Sequence, residues 1–314
     1  MKILVTGASG FLGEHLAEYL STKQGLDVFT LDRAPLSSRS MNRKRNWTLP
    51  ILNTNSSTEE IYLALSKHLH AHRFEGIIHC AANSRLNECE NNPMAAYHAN
   101  VQYSQAIIQY AGESNTYLCG ISTDLVFDGN TIPPTGGFTE EQKPNPISVY
   151  AKTKFKMEKD IAHLEKFGMI LRTSLLYGFP KGRNGGPLQW ILTSLRDNRT
   201  IPAFFDEWRT PLYVSDMVEI IWKCLTEKHS GILHCSGSSR YSREEFTREV
   251  IKAAGGDQCL LSACSRKNLP SPPCRPEDVS LSNRKLVHSL KFTPSDLQDG
   301  LRKTFLKHEV ASGC

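Results

Sequence analysis

TGASGFLG, running from Thr6 to Gly13, follows a short apolar run, Ile3 to Val5, and opens a segment in which Leu12, Leu16, Tyr19 and Leu20 recur at helical spacing. The pattern reads as strand, tight turn, helix, and the glycines at 7, 10 and 13 fit a dinucleotide-binding turn. Gly7 permits the sharp turn off the strand, Gly10 removes a Cβ where backbone must approach a pyrophosphate, and Gly13 lets the helix pack closely on the sheet. Phosphates then sit on the helix N-terminus, whose unpaired N–H groups and dipole favour an anion. The candidate cofactor contacts of this stretch are Gly7, Ser9, Gly10, Phe11, Leu12 and Gly13. An isolated GxxGxxG is equally compatible with an ordinary glycine-rich turn, so its surroundings decide.

Downstream, Asp27 to Leu31 (DVFTL) reads as a second strand ending in Asp32. A carboxylate at this distance from the glycines accepts hydrogen bonds from the adenosine ribose hydroxyls. Asp32 repels a 2′-phosphate and Arg33 attracts one, so the balance leans to NAD with NADP left open. A third strand is expected near Thr48 to Leu52 and a helix over Thr58 to Arg73. The apolar strand GIIHC, Gly76 to Cys80, precedes Ala81 and Ala82, small residues that let a cofactor lie across the strand's carboxyl end. A helix predicted over Met94 to Glu113 contains Asn100, a polar side chain that either faces solvent or holds a buried water or backbone carbonyl, and a further cofactor-side candidate.

Composition narrows the class. The chain has 314 residues, 39% hydrophobic and 22% charged, enough for a substantial core, with no apolar run long enough for a bilayer. The first strand starts at Lys2 without a cleavable signal pattern, so a soluble cytoplasmic protein is expected. A formal charge of +5 without aromatic interleaving or a docking motif argues against nucleic acid as partner. Nine cysteines without CxxC pairs indicate neither a disulfide framework nor a zinc site, and no metal is assigned.

The chemistry is concentrated after the next strand, Tyr117 to Ile121, which runs into Ser122, Thr123 and Asp124. Hydroxyls at the carboxyl end of a central strand face the cofactor crevice, and Ser122 and Asp124 become candidate substrate contacts. Two proline-containing turns follow, and Ser148 caps a helix that begins near Val149. In it Tyr150 and Lys154 are four apart and share a face. The same spacing recurs at Tyr19 with Lys23 and Tyr177 with Lys181, but only Tyr150 follows a strand-end hydroxyl pair and opens a new helix. A phenol titrates near pH ~10, and a neighbouring ammonium together with an oxidised nicotinamide ring brings it into useful range. Thr123 would bond and orient the substrate oxygen.

With these residues assembled, the chain resembles the extended short-chain dehydrogenase/reductase superfamily: TGASGFLG, the strand end His79 to Ala82, Ser122-Thr123 and the YAKTK run, Tyr150 to Lys154, occur in order. Within it STDLVFDG (Ser122 to Gly129), YAKTK and RTSLLYG (Arg172 to Gly178) look like the dTDP-4-dehydrorhamnose reductase branch. The resemblance implies a catalytic set of Thr123, Tyr150 and Lys154, with the last two also touching the cofactor, NAD or NADP, and hydride exchanged with C4 of a nucleotide-linked sugar. Related 4,6-dehydratases carry Asp-Glu after the threonine, whereas Asp124-Leu125 stands here, which disfavours dehydration. A sugar epimerase using the same residues, and a non-catalytic regulatory subunit like the β subunit of methionine adenosyltransferase, are the alternatives.

The second half is less regular. EWRTPLYVSDMVEII, Glu207 to Ile221, has helical spacing at 214, 217, 218 and 221, and the resemblance makes Arg209 a phosphate contact. Arg275, in a proline-rich extended run, is suited to bidentate grip of a diphosphate, and RPEDVSLSNRKL (Arg275 to Leu286) supports it through the resemblance. The expected fold is therefore α/β, a Rossmann-type doubly wound parallel sheet with a smaller, mixed α/β C-terminal region. Residues 1–170 are expected to form the cofactor-binding domain, with a returning segment near 212–230, and 171–314 mainly the substrate-binding region. The expected partner is a nucleotide sugar, with a homodimer as the candidate assembly.

Overall fold

A computed structural model describes residues 1–32, 46–48, 56–130, 133–134, 136–179, 181, 186–268 and 274–312. The first half alternates β1 (Lys2–Thr6), α1 (Phe11–Ser21), β2 (Asp27–Asp32), β3 (Asn46–Thr48), α2 (Thr58–His72), β4 (Gly76–His79), α3 (Leu86–Asn91), α4 (Pro93–Tyr97), a π-helical turn (His98–Gln102), α5 (Tyr103–Ser114), β5 (Tyr117–Thr123), α6 (Val149–Ala162) and β6 (Gly168–Thr173). The second half returns to the sheet, where the strand Gly231–Cys235 pairs in parallel with β6. The resulting seven-stranded sheet has the order Gly231–Cys235, β6, β5, β4, β1, β2, β3. Every pairing in it is parallel. This is the Rossmann-type doubly wound fold. Strand order reverses where β1 lies between β2 and β4, and the crevice beyond the carboxyl ends of such strands is where ligands bind.

The apolar strands are read correctly because both faces are covered. All seven residues of β5 are buried, which requires a continuous rather than alternating apolar pattern. On one face Leu12, Leu16 and Leu20 of α1 meet Met217 and Ile221 of the helix Val214–Glu227. On the other, Ile61, Leu65 and Leu69 of α2 pack with Ile107 and Tyr110 of α5 and Met157 and Ile161 of α6. The helix expected over Met94 to Glu113 instead comprises α4, the π-helical turn and α5. That turn carries the buried Asn100, and hydrophobic periodicity does not register it.

The glycine turn closes by backbone contact. Gly7 has φ +71°, and a Cβ on it would lie 2.6 Å from the Ala81 Cα at the end of β4. A Cβ at Gly13 would lie 2.1 Å from the Gly7 carbonyl oxygen, so what excludes a side chain there is the turn's own backbone rather than the sheet. Gly13→Ala is therefore expected to reduce the unfolding free energy by about 1–3 kcal/mol, measured by urea denaturation, and an unchanged midpoint and slope would refute the close-contact account.

Candidate active site

Helix α1 begins at Gly10 without a side-chain cap, which leaves first-turn amides for a ligand. The Gly10 N–H closes the turn onto the Gly7 carbonyl (3.0 Å), and the Ser9 N–H donates to Asp32 Oδ2 at 2.6 Å. Asp32 thus stands at the end of β2 against the glycine turn, while Arg33 lies outside the described residues. Phe11, Leu12 and Gly13 form the first turn of α1, and Ala81 and Ala82 follow β4, with the Ala81 N–H donating to Thr6 Oγ1 (3.3 Å). An uncapped helix start, small residues at the neighbouring strand end and a carboxylate on β2 together fit a dinucleotide.

Asn100 is completely buried and committed to protein. Its Oδ1 accepts from the Asn83 N–H (2.6 Å), and its Nδ2 donates to the Asn83 carbonyl and to Thr153 Oγ1, both at 3.0 Å. Thr153 in turn donates to the Tyr150 carbonyl (2.7 Å). The tie continues toward the glycine turn: Asn100's carbonyl accepts from Ser104 Oγ (2.6 Å), which lies 2.8 Å from His79 Nε2, while His79 Nδ1 lies 2.7 Å from Thr6 Oγ1. Because the Ser104 proton is already used, His79 donates from Nε2 and accepts from Thr6 at Nδ1. Burial, reinforced by the Lys154 charge, pushes His79 down to about 3, so it stays neutral in this chain of bonds. Asn100 is therefore a clamp between the β4 end and α6.

Thr123 closes β5, with its Oγ1 donating to Asp124 Oδ1 (3.1 Å) and accepting from the Leu125 N–H (3.2 Å). Ser148 caps α6 by accepting from the Ala151 N–H, which sets Tyr150 in the first turn beside Thr123. Burial raises the Tyr150 phenol well above its ordinary range, the Asp124 and Cys89 charges add to this, and a hydrogen bond with Thr123 opposes it. Lys154 is 2% exposed, and its Nζ donates to Met157 Sδ at 3.3 Å. Burial depresses its ammonium to about 8 from an ordinary 10.5, with Cys80 and Glu158 partly restoring it. The expected lowering of the tyrosine by the lysine is not seen: Lys154 is not among the groups acting on Tyr150, and its Nζ is turned onto Met157. A high phenol pKa nevertheless suits a proton donor, which must stay protonated until an alkoxide forms.

Ser122 and Thr123 do not share a face, because neighbouring strand residues point to opposite sides. Ser122 is buried and its Oγ donates to Glu158 Oε1 at 2.5 Å, turned away from Thr123. Asp124 does face the second half of the chain: its Oδ2 accepts from Ser174 Oγ (3.1 Å) and lies 3.5 Å from Arg209 Nε. Arg209 continues to Glu207 (3.3 Å), on which Arg275 (3.6 Å) and Arg243 (3.9 Å) also converge. Glu207 Oε2, Arg243 Nη1 and Arg275 Nε are buried without a hydrogen-bond partner among the described residues. The structure thus brings Arg209 and Arg275 together and adds two residues that the sequence reading did not single out.

The family model of the RmlD substrate binding domain matches residues 1–310. The chain belongs to this family. A probable low-salt glycan biosynthesis reductase of Haloferax volcanii is 26% identical over 96% of this chain and 96% of its own. Methionine adenosyltransferase 2 subunit beta of Rattus norvegicus is 28% identical over 91% of this chain and 81% of its own. Among solved structures, a dTDP-4-dehydrorhamnose reductase of Clostridium acetobutylicum superposes with TM-score 0.83 at 25% identity, covering 98% of this chain and 100% of that one.

In this RmlD-family chain a signal for Arg243 does exist in the sequence. It is the first residue of the helix Arg243–Ala253, where a cation opposes the helix dipole and an acid is preferred. Burial lowers its pKa, Glu207 raises it, and the Arg209 and Arg275 charges lower it further, so the cluster suits an incoming anion.

The buried ammonium makes a stability prediction. The folded chain holds the Lys154 proton less tightly than the unfolded chain, so the penalty is full below about pH 8 and disappears as pH rises through the unfolded value near 10.5. Lys154→Met is expected to raise the unfolding free energy of the ligand-free RmlD-family protein at pH 7 by up to about 3 kcal/mol. That gain should shrink by pH 10, and cofactor affinity should be lost. Urea titrations at the two pH values check this, and a less stable variant at pH 7 would show that the ammonium is not penalised.

Proposed function

We propose that this chain is an NAD(P)-dependent reductase acting on the 4-keto group of a nucleotide-activated deoxysugar. The observation that carries the reading is the meeting of Tyr150 and Thr123 at the end of β5, with Lys154 one helical turn further on and the uncapped start of α1 across the same crevice. When bound, the reduced nicotinamide cofactor supplies the hydride. The Thr123 hydroxyl orients the carbonyl, and Tyr150, kept protonated by burial beside Asp124, gives its proton to the oxygen as negative charge develops there. Lys154, buried with a thioether as its hydrogen-bond acceptor, has N–H groups to offer a cofactor ribose. Arg209, Arg275 and Arg243 present guanidinium groups suited to a diphosphate.

Reduction is favoured over the two alternatives. The Haloferax volcanii and Clostridium acetobutylicum relatives are named reductases and are matched over nearly their full lengths. Among the described residues, no helix is long and apolar enough to cross a membrane. We assign the protein to the cytoplasm, where reduced cofactor and activated sugars are available.

The test is turnover. Purified protein given a dTDP-4-dehydro-6-deoxysugar and NADH or NADPH should consume the reduced cofactor stoichiometrically with substrate. Tyr150→Phe should lower kcat by about 10²–10⁴-fold while cofactor binding persists. Undiminished turnover by that variant would sink the mechanism. Sugar interconversion without net cofactor consumption would identify an epimerase, and cofactor binding without turnover on any sugar would favour the regulatory-subunit alternative.

A further inference from the structure

The face of α6 that carries Tyr150 and Lys154 continues, one more turn along, to Glu158. This carboxylate is buried, and three donors reach it. Oε1 accepts from Ser122 Oγ at 2.5 Å and from Arg172 Nε at 3.0 Å, and Oε2 accepts from Arg172 Nη2 at 2.8 Å. Arg172 on β6 is itself 2% exposed and lies over the Phe127 ring. Its Nη1 donates to His234 Nε2 at 3.3 Å. A guanidinium has no acceptor, so His234 must carry its proton on Nδ1, which donates to the Phe138 carbonyl at 3.0 Å. One buried carboxylate therefore joins the catalytic helix, the strand residue next to Thr123, β6 and the Phe138 segment.

Removing an ion pair of this kind as a unit is often nearly neutral for stability. The position of Glu158 relative to the reacting groups offers a reason for it beyond stability. We propose that Glu158 is a positioning residue of the reductase: it pins Ser122, and through the strand Thr123, while standing one turn along the same face of α6 from the buried Lys154. The inference rests on the reductase reading, since it assigns Lys154 to the cofactor. The charged and titratable groups that act on Lys154 are Cys80, directly after β4, and Glu158 from its own helix, and His79 on β4 also senses its charge. Arg172 from β6 stands behind Glu158. Neutralising Glu158 leaves Lys154 to face the Arg172 charge without the intervening carboxylate, so the ammonium should lose its proton at lower pH.

The experiment compares wild type, Glu158→Gln and the paired Glu158→Gln/Arg172→Met variant. NADH and NADPH binding are followed by fluorescence titration from pH 6 to pH 10, and kcat and KM are measured on the 4-keto sugar nucleotide. The expected result for Glu158→Gln is that the alkaline loss of cofactor affinity moves at least half a pH unit lower and kcat falls at least tenfold, with KM within threefold of wild type. The paired variant should move the pH profile in the same direction by less. It carries the test if the single variant does not fold. A merely structural role would lower the melting temperature and leave the pH profile in place. Folded variants whose pH profile superimposes on wild type therefore overturn the inference alone. A wild-type protein that binds neither dinucleotide overturns the function and the inference together.

Discussion

An ammonium group enclosed by protein is the constraint around which this molecule is arranged. Lys154 is buried behind the carboxyl end of β4 with a thioether as its hydrogen-bond acceptor. Desolvation opposes its charge, and an unpaired buried charge is among the costliest features a fold can retain. The surroundings respond by fixing everything near it. Asn100 binds both the amide and the carbonyl of Asn83 and reaches Thr153, so that the catalytic helix is tied to the strand ends from below. Ser148 fixes the start of that helix from above. Among the described residues no carboxylate pairs directly with Lys154, and the polar contacts of Thr6, His79, Asn100 and Ser104 fix the elements around it.

Two polar chains meet at α6, and they have different characters. The first, from Thr6 through His79 and Ser104 to Asn100, contains only neutral groups with a fixed donor direction, since His79 cannot gain a proton while buried beside Lys154. It can hold geometry but carries no charge. The second, from Ser122 through Glu158 and Arg172 to His234, has an ion pair at its centre, and the burial of His234 against Arg172 lowers its pKa to about 3. Separating the two keeps charge on the Lys154 side of the helix and neutral bonds on the side facing the glycine turn. On the proposed function, a dinucleotide laid across that turn would meet backbone amides and Asp32 at one end and Lys154 at the other.

Much of this was legible in the sequence where one short stretch is sufficient to specify it. The turn from Thr6 to Gly13 and the helix opening at Ser148 depend on local backbone requirements, and both were placed correctly. What escaped reading depends on contacts between distant segments or on a face choice. Ser122 was grouped with Thr123 because both are hydroxyls, yet strand geometry sends adjacent side chains to opposite sides, and the partner that claims Ser122 lies in a helix 36 residues on. The π-helical turn at Asn100 leaves no mark on a 3.6-residue period. Glu207 and Arg243 are 36 residues apart in sequence, and although a cation at the start of a helix marks Arg243 as unusual, its pairing with Glu207 arises only when folding brings the two together.

Three guanidinium groups, Arg209, Arg243 and Arg275, converge on the carboxylates Glu207 and Asp124. Arg209, Arg243 and Arg275 would repel one another if nothing negative stood between them, and Glu207 with Asp124 supplies that charge, leaving one positive charge in excess. The ion pairs to Glu207 are long, between 3.3 and 3.9 Å, whereas Arg209 Nη1 also donates to the Trp208 carbonyl at 2.7 Å. Arg243 Nη1 and Arg275 Nε lack acceptors among the described residues, and a buried donor without a partner costs roughly 1–3 kcal/mol. On the proposed function, a diphosphate reaching Arg243 Nη1 and Arg275 Nε would gain hydrogen bonds at those two atoms without displacing an acceptor among the described residues. The carboxylates thus limit the repulsion among the guanidinium groups while Arg243 Nη1 and Arg275 Nε keep their N–H groups without an acceptor among the described residues. Since Asp124 pairs with Arg209 and accepts from Thr123, the cluster proposed to hold the diphosphate and the hydroxyl proposed to orient the carbonyl are joined by one continuous set of contacts.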